Sequence, residues 1–197
     1  MDQERLQKQI AFILEADKEK NILRQTHITD YLRQENDAEH AWHMALMVYL
    51  LREYANEKFD VGKAMVMALI HDIVEIDAGD TYAYDEKNLA TQAEREEKAA
   101  KRIFGLLPSD QEKELKSLFY EFEENQTPEA RFAHAMDNFQ PLLLNHSNNG
   151  GDWKAHGVDK TRVMKRQEKT RFGSADIWEY TRKIVDENVK KGNIKDE

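Results

Sequence analysis

Cysteine is absent from the 197 residues of this chain. That absence excludes thiolate metal sites, cysteine nucleophiles and disulfide frameworks together. A chain of this length buries enough apolar surface to fold without cross-links, and the lack of thiols fits a reducing cytoplasm. Long hydrophobic runs are missing too. The longest, Ala64 to Ile70, is far shorter than the roughly 20 residues that cross a bilayer. The opening MDQERLQKQI is charged from its second residue and reads as no secretory signal. A soluble, cytoplasmic protein with no membrane partner is expected. Basic charge is also short: 29 Lys and Arg stand against 38 Asp and Glu, a net charge of -9. A general nucleic-acid binder needs a basic surface, so no nucleic-acid partner is expected. A small phosphate ester asks only for a metal and one or two arginines placed locally.

Three prolines and eight glycines are few, and they fall at joints. Between them apolar residues recur at helical spacing. Leu6, Ile10, Ile13 and Leu14 mark a first helix. Asp37 reads as an N-cap for a helix carrying Ala41, Met44, Ala45, Val48 and Leu51 on one face. Asp60 reads as the cap of VGKAMVMALIHDIVEI, apolar nearly all round and so expected at the centre of a bundle. A polar loop follows from Gly79 to about Lys87, then the charged helix ATQAEREEKAAKRIFGLL. Pro108-Ser109 with Glu112 resembles a capping box. Thr127-Pro128-Glu129 gives a cap, a first-turn proline and a first-turn acid. Asn148-Asn149-Gly150-Gly151 breaks the chain before two last helices, near 158–170 and 174–190. No alternating strand pattern of useful length appears. The expected fold is all-α, a single helical bundle over residues 1–197, with the site core in about 5–145 and C-terminal helices in about 155–192.

Apolar helices rarely hold adjacent ionisable residues at their centre, yet Leu69-Ile70-His71-Asp72-Ile73-Val74-Glu75 does. Burying such groups without a partner costs several kcal/mol. A divalent metal satisfies both His71 and Asp72. The same argument holds for Asp137 inside Ala133-His134-Ala135-Met136-Asp137-Asn138-Phe139, and for His40 one turn into an apolar face. Two imidazoles and two carboxylates suit one ion of Mn, Fe, Co, Ni, Zn or Mg and leave positions for water and substrate. A metal that lowers the pKa of water beside an electrophilic phosphorus makes a hydrolase. His43 and His134, one turn from His40 and Asp137, read as supporting groups rather than as ligands of a second metal. The rest of the chain from Asn145 carries no catalytic motif.

The ordered set Glu39-His40, His71-Asp72 and Asp137, with ENDAEHAWHMALM followed by ALIHDIVEIDAGD, resembles the HD superfamily of metal-dependent phosphohydrolases. The likeness is to the branch of bacterial 5'-deoxynucleotidases and related small HD-domain hydrolases, and covers roughly residues 5 to 145. It implies a helical fold, one divalent metal on His40, His71, Asp72 and Asp137, and hydrolysis of nucleoside 5'-monophosphates. It also implies that Glu75 helps orient the attacking water, that Asp80 assists the leaving 5'-oxygen, and that Arg24 grips the phosphate with its planar fork. Relatives in this superfamily are homodimers, so self-association is expected. One departure stands out: Gln25 follows Arg24 where members often carry a tryptophan, which leaves the choice between ribose and deoxyribose open. Phosphodiester, nucleoside triphosphate or guanosine tetraphosphate hydrolysis, and a non-catalytic nucleotide-binding role, are the alternatives.

Overall fold

The computed structural model describes residues 2–80 and 86–197, the side chains of 86–90 excepted. Among the described residues are eleven α-helices, two short 3-10 helices and one two-stranded ribbon, and the fold class is all-α. Helix α1 (Gln3–Ala16) is capped by Asp2 and leads through a tight turn to strands β1 (Leu23–His27) and β2 (Gln34–Asn36). These pair antiparallel, Leu23 with Asn36 and His27 with Gln34, with an irregularity between. This ribbon is not expected from the sequence, because both strands are short and mostly polar with no alternation to read.

Helices α2 (Asp37–Leu51), α3 (Val61–Ile70) and α7 (Pro128–Ser147) pack on one another. Met44, Val48, Ala64, Met67, Phe132 and Met136 form the middle of the main apolar core. A second core joins Ile70, Ile73 and Val74 to helices α5 (Glu86–Phe104) and α6 (Ser109–Glu124). The chain then continues through α8 (Gly151–Ala155), α9 (Lys160–Gln167), α10 (Thr170–Gly173) and α11 (Ala175–Lys190). Gly173 admits α10 against α7: a Cβ there would lie 2.2 Å from the Arg131 carbonyl oxygen. No helix among the described residues is long and apolar enough to cross a membrane.

Several expected ends are corrected. The helix expected over 61–76 stops at Ile70, turns through 71–74, and resumes as α4 (Glu75–Ala78). Inside that turn the Glu75 N–H reaches back only to the Asp72 carbonyl, at 2.8 Å. Asp37 does not cap α2. Asn36 does, in a reciprocal box with Glu39, and Asp37 is turned fully inward. Pro108 precedes α6 with no side-chain cap, so the expected box does not form. Asp60 and Thr127 cap α3 and α7 as the sequence suggests. The tail of the expected 79–87 loop lies partly outside the described residues, and Lys87 already belongs to α5.

Candidate metal centre

Three elements bring the expected ligands together. α2 delivers His40 from its first turn, the break after α3 delivers His71 and Asp72, and the middle of α7 delivers Asp137. His40 is fully buried, and the other three are nearly so. Ligand atoms of His40, His71 and Asp72 all lie within 4.8 Å of one another. Asp137 borders this group, its Oδ1 3.2 Å from His40 Nε2 and 3.9 Å from His71 Nε2.

The hydrogen bonds behind the two imidazoles decide which nitrogen faces the cluster. His71 Nδ1 donates to the Ala68 carbonyl at 2.9 Å. Gln140 donates through Nε2 to Glu35 at 2.6 Å, which turns its Oε1 toward His40 Nδ1, 3.1 Å away. Each ring therefore spends its Nδ1–H on an outer acceptor and presents a bare Nε2 inward, the arrangement found around metal-bound histidines. His71 Nε2 is buried with no partner of hydrogen-bonding geometry, although Asp72 Oδ2 lies 3.1 Å from it. His40 Nε2 and Asp137 Oδ1 are likewise two acceptors facing each other. A divalent cation answers both, so the residues fit the metal that the donor set implies.

The electrostatics agree. Burial disfavours a charged ring at His71, but Asp72 and Asp137 outweigh it and raise its pKa to about 9. Burial and the Arg24 charge hold His40 down to about 4. Asp72 is resisted by burial yet kept well below the carboxylate range by His71 and Arg24. Asp137 is also held low, by the neighbouring His40 and by Arg166, against the cost of burial.

Arg24 on β1 donates through one Nη to Asp72 at 2.6 Å and to Asp37 at 3.3 Å, and its buried Nε has no acceptor. Glu75 opens α4, bonds Asp37, and keeps Oε2 unpartnered. Burial, then Asp72 and Asp37, push its pKa up to about 12. Burial likewise raises Asp80, a half-buried residue. Arg24, His71, Asp72, Glu75, Asp80 and Asp137 all line one cavity of about 580 Å³, a size suited to a small organic ligand. A bound cation would draw these acids back toward the charged form.

Sequence reasoning passed over four contributors. In the sequence Asp37 reads as a cap, and Glu35, Gln140 and Arg166 carry no mark of their place beside the ligands. Arg166 on α9 reaches Asp137 Oδ2 at 3.3 Å. Gln140 was findable, one turn after Asp137 on the same face of α7. His43 joins the outer network through Gln140 at 3.2 Å, and His134 bonds the Phe122 carbonyl at 2.8 Å, so both occupy supporting places.

A family model described as HD domain matches residues 16–178. Human 5'-deoxynucleotidase HDDC2 is 32% identical over 111 residues, 56% of this chain and 53% of that protein. The 5'-deoxynucleotidase hdd1 of Schizosaccharomyces pombe is 27% identical over 114 residues, 56% of each chain. The chain thus spans about half the length of the curated relatives it matches. A solved structure from Magnetospirillum magnetotacticum, described as a predicted metal-dependent phosphohydrolase, superposes with a TM-score of 0.92 at 52% identity, covering 96% of this chain and 95% of the other. The PH0347 protein of Pyrococcus horikoshii shares the fold, with a TM-score of 0.66 at 22% identity over 89% of this chain and 99% of its own.

Metal binding to this arrangement should be visible as stabilisation. Manganese or cobalt at about a hundred times its dissociation constant should raise Tm by roughly 5–11 °C. His71→Ala and Asp72→Ala should each remove that rise. A Tm indifferent to every divalent ion in the wild type contradicts the ligand set.

Proposed function

The chain belongs to the HD domain family, and on that premise we propose that it is a metal-dependent phosphohydrolase cleaving nucleoside 5'-monophosphates, deoxy forms among them, to nucleoside and phosphate. The observation that carries this reading is the pair of bare, buried Nε2 atoms facing two carboxylates on the wall of a ligand-sized cavity. The 5'-deoxynucleotidase relatives support the same substrate class. His40, His71, Asp72 and Asp137 would hold one divalent metal, drawn from Mn, Fe, Co, Ni, Zn or Mg. That metal supplies a Lewis acid for a phosphate oxygen and lowers the pKa of water.

The remaining roles belong to side chains around it. Arg24 offers its unpartnered Nε–H to a phosphate oxygen, while its bonds to Asp72 and Asp37 fix the guanidinium in place. Glu75 presents a free carboxyl oxygen to the cavity, placed to orient a water and hold its proton during attack on phosphorus. Asp80, at the same wall, hands a proton to the leaving 5'-oxygen as the P–O bond breaks. His27, bonded to Asp152 at 2.7 Å, and Tyr31, its ring tilted against that of His27 at 4.3 Å, stand near the position where relatives often carry a tryptophan.

Exposed apolar stripes support a homodimer. On α2, Trp42 (63% exposed), Leu46, Tyr49 and Leu50 follow helical spacing, and on α1 Ile10, Ile13 and Leu14 do the same. Monomeric proteins seldom leave such contiguous faces to water. The reading is that two copies cover them.

Phosphate release from a panel of ribo- and deoxynucleoside 5'-monophosphates tests the activity. Release should require added metal, vanish in Asp72→Ala, and fall about a hundredfold or more in kcat in Glu75→Gln. No release from any monophosphate overturns the assignment. For assembly, light scattering should give twice the chain mass, and Leu46→Glu with Leu50→Glu should give one chain mass. A monomeric wild type contradicts the dimer.

A further inference from the structure

The C-terminal part of the chain carries no catalytic motif, yet it reaches back to the ribbon that holds Arg24. Asp152, in the first turn of α8, accepts two bonds from His27 at the end of β1. The His27 backbone N–H reaches Oδ2 at 2.9 Å, and its ring Nδ1–H reaches Oδ1 at 2.7 Å. Beside them Gly151 admits the ring of Tyr31, from the turn between the two strands. A Cβ on Gly151 would lie 2.2 Å from Tyr31 Cε2, closer than any side chain allows. Tyr31 holds a φ of 61°, sparsely populated for a bulky residue, and persists there because its surroundings fix it.

The other side of this contact is itself anchored. The Trp153 N–H bonds the Asn145 side-chain oxygen at 3.3 Å, and the Gly150 N–H bonds the Asn145 carbonyl at 2.7 Å. Both tie the start of α8 to α7, the helix that carries Asp137. Asn193 closes the joint from behind, donating to Asn149 at 3.1 Å and to Asn188 on α11 at 2.8 Å. Asp152 therefore offers the ribbon a fixed point rather than a mobile one.

The ribbon needs one. Two strands this short are not stable alone, and their pairing is irregular between Leu23 and His27, the stretch that contains Arg24. Its base is fixed where the Asp37 N–H meets the Ile22 carbonyl at 3.1 Å. Its far end is fixed by Asp152 and Gly151, and Arg24 lies between the two. We propose that Asp152, with Gly151 as its notch, is a positioning residue for Arg24, clamping the far end of the ribbon so that the guanidinium meets the phosphate. The inference rests on the reading above in which Arg24 holds that phosphate, and it gives the C-terminal helices a part in the site. Asp152 lines the same cavity as Arg24 while Gly151 lies outside the lining, so a clamp can be told from a direct contact with substrate.

The test uses the full chain with manganese and a deoxynucleoside 5'-monophosphate. Asp152→Ala should raise KM about tenfold and leave kcat within about threefold, because a grip on the bound substrate is lost. Calorimetry should show inorganic phosphate binding weakened by the same factor. Gly151→Ala, which displaces Tyr31, should act in the same direction, and Asp152→Asn, which keeps an acceptor oxygen, should recover most of the loss. In an Arg24→Ala background Asp152→Ala should add less than about twofold, since both act on one interaction. A full additional rise there means that Asp152 touches substrate itself and overturns the clamp, as does an unchanged KM in Asp152→Ala. The metal-induced rise in Tm should persist in each variant. Hydrogen exchange reads the clamp without the reaction: amides of 23–27 and 34–36 should exchange about tenfold faster in Asp152→Ala and Gly151→Ala, with those of α3 and α7 unchanged. If no monophosphate is hydrolysed at all, the reaction assignment fails on its own and exchange decides, equal ribbon protection in wild type and variants overturning the clamp.

Discussion

Arg24 is a single guanidinium set among buried carboxylates, and the interior around it holds together only because those charges answer one another. Asp72 and Asp37 both bond it, and Glu35 stands 3.9 Å from its Nε. An isolated carboxylate in such a place would cost several kcal/mol. One cation serves several acids here, which leaves negative charge in excess. Burial above all drives Glu75 and Glu35 toward the protonated form, and neighbouring acids add to it. The excess is what a divalent ion would neutralise.

The fold is arranged to keep that interior from collapsing on itself. Gln140 is pinned by Glu35 and in turn orients His40, so a buried chain of polar groups aims one ring nitrogen. Pro141 follows at once in α7 and lacks the N–H that would have bonded the Asp137 carbonyl, loosening the helix where it carries a ligand. The β1–β2 ribbon is too short to be stable alone. It nonetheless presents Arg24 to the same cluster, and His27 on it is tied to Asp152 at 2.7 Å.

The sequence made part of this legible, for identifiable reasons. His40, His71, Asp72 and Asp137 each interrupt an apolar run, and the cost of burying them unpartnered is readable without coordinates. Asp37 was not legible as an interior group, because an acid at a helix start looks like a cap and only packing reveals that Asn36 holds that place. The break after Ile70 carries no Gly or Pro to announce it, so 61–76 reads as one helix.

The central claim is that one metal sits among His40, His71, Asp72 and Asp137, and crystallography at the metal absorption edge tests it most directly. Crystals grown with manganese or cobalt should give one strong anomalous peak within about 2.0–2.3 Å of His40 Nε2, His71 Nε2 and carboxylate oxygens of Asp72 and Asp137. A peak elsewhere, or none with His71 Nε2 still unliganded, would contradict the account.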